Sequence, residues 1–447
     1  MESANNSTVD PQNGLFWDME NFLGPKAKWT IEPNLAIISK IVRRELALSE
    51  DAVCSLEFLG QGALNKVYAI QCGKGNYVLR VTLPVQPELK TMSEYATITY
   101  VRRHTDIPIP RVLRYEPNNN ELGFEWMIMD RVPGKPFEPM WHEVSWLMKK
   151  VMVRKLISYL VQTFQMRSNA IGSLYTADDV HRCAILDESH ATSDMPGNGD
   201  GPVQHRHHLS GIVSVPLFAG NHLKHDVPRG MFKNSHDWLA ARIQFVINDT
   251  TNLPDGLDED EIESLGDCKA NAERLLKALP SVFSPDQSDE EFVLHHHDLS
   301  GMNFLVDDTD KTNLQVAGVI DWECITTVPL YYACKIPKLL RKRTNDECPD
   351  PDICMNETKE DGTVEINPLY WLNREEYEKT QLRQFFLEEM GRQLPEWVKI
   401  YDESKFKADF ESAVDYCGYE PTRRYVSQWL DELEKGEPKS LAEAMDN

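Results

Sequence analysis

His296-His297-Asp298-Leu299-Ser300-Gly301-Met302-Asn303 leads into an apolar run, Phe304-Leu305-Val306, and then a polar connection, Asp307 to Asn313. A return run, Leu314-Gln-Val-Ala-Gly-Val-Ile320, ends in Asp321-Trp322-Glu323. The two runs predict short strands joined by a hairpin, with Ser300 and Gly301 supplying turn chemistry in the loop before them. Asp298 and Asn303, five positions apart on a tight loop, can both point into one cleft. The return strand delivers Asp321 beside that loop. Two carboxylates and an amide so arranged suit phosphoryl transfer, where one acid orients the attacking group and the other two side chains hold Mg²⁺ on nucleotide phosphates. A buried hairpin with polar ends is the plain alternative.

The order of motifs upstream weighs against that alternative. His-x-Asp-Leu-x-x-x-Asn matches the kinase catalytic-loop spacing, with His297 where that signature has Arg. Phe58-Leu-Gly-Gln-Gly-Ala-Leu-Asn-Lys-Val-Tyr-Ala-Ile70 predicts a strand, a turn carrying Gly60 and Gly62, and a return strand. Glycines there let backbone N–H groups approach phosphates closely, and Asn65 stands where a kinase has its third glycine. The next strand, Tyr77-Val-Leu-Arg-Val81, offers Arg80 in the place of the usual phosphate-binding Lys. Glu94 follows in a predicted helix whose Tyr95, Ile98 and Val101 share a face, with Ser93 or Thr91 as candidate caps. A surface Arg and an ordinary helical Glu are the alternative for that pair.

These phrases, with Thr105-Asp-Ile-Pro-Ile-Pro-Arg-Val112 and His236-Asp-Trp-Leu239, resemble the aminoglycoside phosphotransferase/choline kinase superfamily, in its large fungal branch. The resemblance spans roughly residues 50–340. It implies an α+β, protein-kinase-like two-lobed fold, with a small antiparallel β-sheet N-lobe and a mainly helical C-lobe. It also implies ATP with Mg²⁺ and a small hydroxyl- or amine-bearing acceptor. Asp298 would be the catalytic base, Asn303 and Asp321 the metal ligands, and Arg80, paired with Glu94, the phosphate-binding cation. By the same resemblance the backbone around Met129 and Val132, at the end of Glu125-Trp-Met-Ile-Met-Asp-Arg-Val-Pro-Gly134, is the hinge that meets adenine. His296 belongs to the catalytic set as the imidazole that braces the loop.

Organisation along the chain follows from these landmarks. Residues 1–50 read as an extension with an amphipathic helix over 33–48, residues 51–133 as the nucleotide-binding lobe, and residues 134–447 as the helical lobe with the acceptor site. Helices are predicted over 146–166, continuing toward 171–174, and over 230–246, 261–279, 330–340 and 377–390. A polar, Gly-rich flexible insertion is expected near 187–210 and an acidic loop near 343–366.

Composition sets the outer limits. The 447 residues are 41% hydrophobic with ten Trp, enough for packed cores, and carry a net charge of −24. That charge argues against nucleic acid as a partner. No window reaches the roughly 18 apolar residues of a membrane span, and the N-terminal residues have neither a secretory nor a mitochondrial pattern. Nine scattered Cys read as free thiols in a reducing cytoplasm. Cys348 with Cys354, the His295–His297 run and the histidines at 205, 207 and 208 lack the geometry of a zinc site. A nucleotide-binding scaffold without turnover is the competing function, motivated by Arg80 and the altered glycine turn. A protein kinase is disfavoured because Trp-Glu follows Asp321 and no Ala-Pro-Glu segment comes after it. The acceptor's identity and the oligomeric state are not encoded in any motif.

Overall fold

The structure is a computed structural model that describes residues 11–19, 24–118, 120–183, 193–195, 206–251, 256–287, 289–310, 312–351, 357–358, 364–365, 367–419, 421–436 and 440–446. The chain opens with a hairpin, β1 (Leu15–Asp18) and β2 (Lys26–Trp29), followed by helix α1 (Leu35–Glu45). Asn34 caps α1 by accepting from the N–H groups of Ala36 and Ile37. Its apolar stripe, Ile38, Ile41 and Val42, is fully buried against Tyr68, Leu79 and Ile128 of the first lobe. The helix expected over 33–48 is therefore present and packs on the small lobe.

That lobe is a five-stranded antiparallel sheet of β3 (Cys54–Gln61), β4 (Asn65–Cys72), β5 (Gly75–Thr82), β6 (Val112–Glu116) and β7 (Glu125–Asp130). Its order is β3-β4-β5-β7-β6. Helix α2 (Leu89–His104) lies between β5 and β6. It starts at Leu89, so Thr91 and Ser93 sit inside its first turns as buried residues and do not cap it. Most of α2 is buried on every side, because the small-lobe sheet covers one face and strand β10 (Ser173–Thr176) of the large lobe another. Tyr95 stacks on Tyr115 with ring centroids 4.0 Å apart.

After β7 the chain crosses into the helical lobe through a short strand, β8 (Lys135–Pro136), and helix α3 (Trp146–Phe164), capped by Ser145. A two-residue strand β9 (Arg167–Ser168) and β10 follow. Residues 171–174 thus leave the helix and turn into strand, unlike the expected continuation. Helix α4 (Ala177–Arg182) leads to the region expected as an insertion. Within it, β11 (Ser193–Asp194) and β12 (His207–Ser210) pair into a sheet with β10. Residues 187–192 and 196–205 of that region lie outside the described residues.

A one-turn helix α5 (Val215–Phe218), α6 (Ser235–Asp249) and α7 (Glu259–Val282) complete the first half of the large lobe. Asn234 caps α6, and Asp258 with Glu261 forms a capping box on α7. Strand β13 (Phe292–His295) then leads into the loop that opened the sequence reading. The hairpin after it is β14 (Phe304–Asp307) and β15 (Gln315–Val319), as expected, and β16 (Thr326–Pro329) returns to pair with β13. The helix expected over 330–340 is only one turn, α8 (Leu330–Ala333), plus a 3₁₀ turn at Lys338–Leu340. Pro337 breaks it: it has no N–H to donate and pushes Ile336 out of the helical region. Helices α9 (Pro368–Gln393), α10 (Pro395–Glu403), α11 (Lys405–Tyr416), α12 (Arg423–Glu434) and a short α13 (Leu441–Asp446) finish the lobe. Much of the acidic stretch before α9, residues 352–356, 359–363 and 366, lies outside the described residues.

The architecture is therefore a small antiparallel sheet lobe joined to a mainly helical lobe. No helix among the described residues is long and apolar enough to cross a membrane. The eight described cysteines are all free thiols, and among the described residues no group of three or more His, Cys, Asp or Glu could hold a metal by itself.

Candidate active site

The catalytic-loop octet is a connection between two strands pinned on both sides. Phe304 sits opposite Val319, and the Ile320 N–H donates to the Asn303 carbonyl at 3.0 Å. That bond sets Asp321, the next residue, beside Asn303. Strand β8 pairs with the other edge of β14, Leu305 opposite Pro136, so the segment entering the large lobe is fastened to the same hairpin.

Within the loop, the Asn303 Nδ2 donates to both the backbone carbonyl and Oδ2 of Asp298, each at 2.9 Å. The amide NH₂ is thereby used, and the amide oxygen is the atom that could face a cation. The other carboxylate oxygen of Asp298 is 3.1 Å from Lys338 Nζ. His296 Nδ1 accepts from the Asp298 N–H at 3.1 Å, and Nε2 lies 3.2 Å from the Ile320 carbonyl. Burial holds the imidazole down to about 4, so the neutral ring accepts on one side and donates on the other. His296 ties the Asp298 backbone to the strand that delivers Asp321.

Asp321 has a left-handed backbone, φ 67°, a conformation that Asp tolerates better than most residues. The turn aims its carboxylate into a cleft of about 460 Å³ between the lobes. No side-chain hydrogen bond or ion pair among the described residues reaches that carboxylate. Burial and the neighbouring Glu323 push its pKa up to about 6. A buried acid destabilised as an anion, next to an amide oxygen, is a fitting donor pair for a divalent cation. Mg²⁺ asks for one or two such protein oxygens and takes the rest from phosphates and water.

The same cleft gathers Gly62, Asn65, Arg80, Glu94, Met129, Val132, Asn303 and Asp321. Arg80 and Glu94 form a buried ion pair. Met129 and Val132 line the side where β7 ends in the crossing to the large lobe. Gly134, just beyond, has φ 100°, and a Cβ there would stand 2.3 Å from the Val306 carbonyl oxygen. Asp298 is outside the lining, at the mouth, where Asn303 joins it to the cleft. Gly60 also lies outside it: a bulge between Phe58 and Gly60 sets Leu59, not Gly60, against the cavity. Neither Gly60 nor Gly62 has a positive φ, and a Cβ at Gly60 would meet nothing within 4 Å. The fold alone does not require glycine there, so the open space above the cleft is what these residues supply.

Two participants escaped the sequence reading. Lys90, 1% exposed at the start of α2, donates to Glu323, which also accepts from Asn65 Nδ2 at 2.7 Å. Burial alone would raise the Glu323 pKa, but Lys90 and Arg80 outweigh it and hold the group well below the ordinary glutamate value. Asn65 Oδ1 in turn accepts from Thr82 Oγ1 at 2.8 Å. Asn65 thus acts as a clasp between the glycine turn and the Asp321 loop. Lys338 is the other unforeseen member. Its only signal in the sequence was a basic run over 335–343. By contrast Lys66 turns away from the cleft, onto Glu32 and the ring of Trp29.

A two-lobed, kinase-like protein with an amide and an acid in the interlobe cleft and a second acid at its mouth is the class that fold and site define. The sequence signature described as Phosphotransferase enzyme family (APH) matches residues 55–332, and the chain belongs to that family. Over 148 residues it is 27% identical to a subtelomeric hrmA-associated cluster protein of Aspergillus fumigatus, covering 32% of this chain and 29% of that protein. Over 169 residues it is 24% identical to altered inheritance of mitochondria protein 9, mitochondrial, of Candida tropicalis, covering 35% of this chain and 26% of that one. The matched stretch is under a third of either relative's length. Among solved structures, aminoglycoside phosphotransferase APH(4)-Ia aligns over 90% of this chain and 93% of its own, with 14% identity and a TM-score of 0.41.

Proposed function

We propose that the protein transfers the γ-phosphoryl group of ATP to a hydroxyl or amine of a small molecule. The observation that carries this reading is the meeting of Arg80–Glu94, Asn303 and Asp321 in one cleft, with Asp298 held at its mouth by Asn303. The backbone of the glycine turn and Arg80 would take the phosphates, and the 129–132 edge the base. The Asn303 amide oxygen and the Asp321 carboxylate would hold Mg²⁺, which supplies charge neutralisation on the phosphate oxygens.

For a hydroxyl acceptor, a bond forms between its oxygen and the γ-phosphorus. The bond from that phosphorus to the β–γ bridging oxygen breaks, and its electron pair leaves with ADP. Asp298 accepts the proton of the attacking hydroxyl. Asn303 and Lys338 each engage one Asp298 oxygen, which would restrict the carboxylate's rotation, as in-line transfer favours.

Turnover with a panel of acceptors tests this. Asp298→Asn is expected to lower the rate by roughly 10²–10⁴-fold while Mg·ATP still raises the melting temperature. A variant as fast as the parent would remove Asp298 from the role of base. Arg80 in place of Lys supports a second reading, a nucleotide-binding protein without transfer. Under that reading Mg·ATP stabilises the protein and no acceptor is phosphorylated.

A further inference from the structure

On the far side of Asp298 from the nucleotide cleft lies a second cavity, about 580 Å³, formed wholly by the helical lobe. His297, on the catalytic loop, and Cys324, three residues after Asp321, form part of its wall, so it borders the two loops that carry Asp298 and Asp321. Three acids line it, Asp409, Glu411 and Asp415, and four cations, Arg242, Lys335, Lys338 and Arg341.

The inner charges satisfy one another. Arg242 binds Glu411 and Asp415, and Lys335 binds Glu411. Arg242 and Lys335 also lie over the rings of Trp238 and Tyr332, at 4.5 and 4.6 Å. The cations left toward the opening are Lys338, which reaches Asp298 at 3.1 Å, and Arg341, exposed, whose guanidinium Nε donates to the Ile336 carbonyl. Both belong to residues 335–343, which carry five Lys and Arg and no acid in a chain of net charge −24. The overall acidity of the protein thus reverses along this segment, with Asp409 the one lining acid outside the inner network of Arg242, Lys335, Glu411 and Asp415. A polycation seated with its hydroxyl on Asp298 would face like charge, whereas an anion would find two donors.

We propose that this cavity seats the phosphoryl acceptor, and that Lys338 and Arg341 select one bearing a carboxylate or phosphate beside its hydroxyl. The proposal rests on the phosphotransferase reading above for the role of Asp298. The anion would engage Arg341 and Lys338 while the hydroxyl reaches the Asp298 oxygens. Val215, Pro216 and Ile336, which also line the cavity, would give the remainder of the acceptor an apolar surface.

Thermal unfolding of the full chain, saturated with Mg·AMP-PNP to fill the nucleotide cleft, tests this. Inorganic phosphate, glucose 6-phosphate and glucuronate are the anionic probes, against glucose and glucosamine. The two sugar anions separate phosphate from carboxylate recognition. At least one anion is expected to raise the melting temperature, and neither glucose nor glucosamine to match it. Arg341→Glu should weaken the anion about tenfold or more, the loss of one charge-assisted contact. Lys342→Glu makes the same charge change on a side chain that faces Glu375 instead, and should leave the anion shift in place. The proposal is overturned by no anion shift, by an equal or larger shift with glucosamine or glucose, or by equal losses in the two variants. Failure of the phosphotransferase reading looks different: the Mg·AMP-PNP and anion shifts would both persist while no acceptor in the turnover panel is phosphorylated.

Discussion

At the scale of single residues, Asp321 is where backbone, burial and function pull on one another. Its left-handed turn costs on the order of 1 kcal/mol or more, and its burial disfavours the anion. Because its folded pKa of about 6 exceeds the ordinary aspartate value, the folded chain binds this proton more tightly than the unfolded one. Its contribution to stability is therefore full below about pH 4 and is lost as pH rises through about 6. A divalent cation reverses the sign, since it binds the deprotonated acid. The rise in melting temperature given by Mg·AMP-PNP should be large at about pH 8. Below about pH 6 the affinity should weaken by up to roughly tenfold per pH unit. Asp321→Asn keeps a side chain that tolerates the left-handed turn and removes the charge. It should abolish the metal-dependent part of the shift at every pH; a parent-like shift in that variant would end the metal-ligand assignment. Asp298, Asn303 and Asp321 were legible in the sequence because a short loop and one hairpin fix their neighbourhood. The Lys90–Glu323 and Lys338–Asp298 contacts were not, because residues 233 and 40 positions apart meet only through tertiary packing.

Among the elements, those with strong local signals matched their reading and those decided by packing did not. The β14–β15 hairpin, α1 and α3 carry their caps and periodicity in the sequence. Helix α2 begins before the residues read as its caps, since neighbours on both faces bury its first turns. The helix expected over 330–340 gave way at Pro337, a local rule outweighed in the reading by the apolar residues around it. The passage from β7 to β8 depends most on one residue. Gly134 combines a positive φ with a backbone neighbour that cannot move aside, because the Val306 carbonyl belongs to the strand that positions the catalytic loop. Gly134→Ala is expected to destabilise the protein by about 1–3 kcal/mol or more. It should also weaken ATP more than the acceptor, because the displaced segment includes the 129–132 edge of the nucleotide cleft. Chemical denaturation together with KM values for both substrates would check this, and equal effects on the two substrates would count against the hinge assignment.

Across the whole molecule, the two lobes meet through a polar clasp as well as through the chain that joins them. Asn65 from the sheet and Lys90 from α2 both end on Glu323, two residues beyond Asp321 in the helical lobe. The order of motifs made a two-lobed arrangement readable, but this clasp could be seen only once the lobes were set against each other. Lys90 is fully buried and the Glu323 side chain is 15% exposed, which makes separating them costly. Lys90→Met should destabilise the fold by up to about 3–5 kcal/mol, because the Glu323 charge keeps only the Asn65 hydrogen bond and the attraction of Arg80. Glu323→Gln in the same chain removes that stranded charge. The double variant should therefore be more stable than the sum of the single losses predicts, with a coupling of about 0.5–3 kcal/mol. Denaturant unfolding of the four proteins in the cycle measures it directly. If the clasp links the lobes, Lys90→Met should also reduce the stabilisation given by Mg·AMP-PNP, since the nucleotide cleft is walled by both. Strict additivity with an unchanged nucleotide shift would reduce Lys90 to a buried cation of the small lobe that takes no part in holding the cleft.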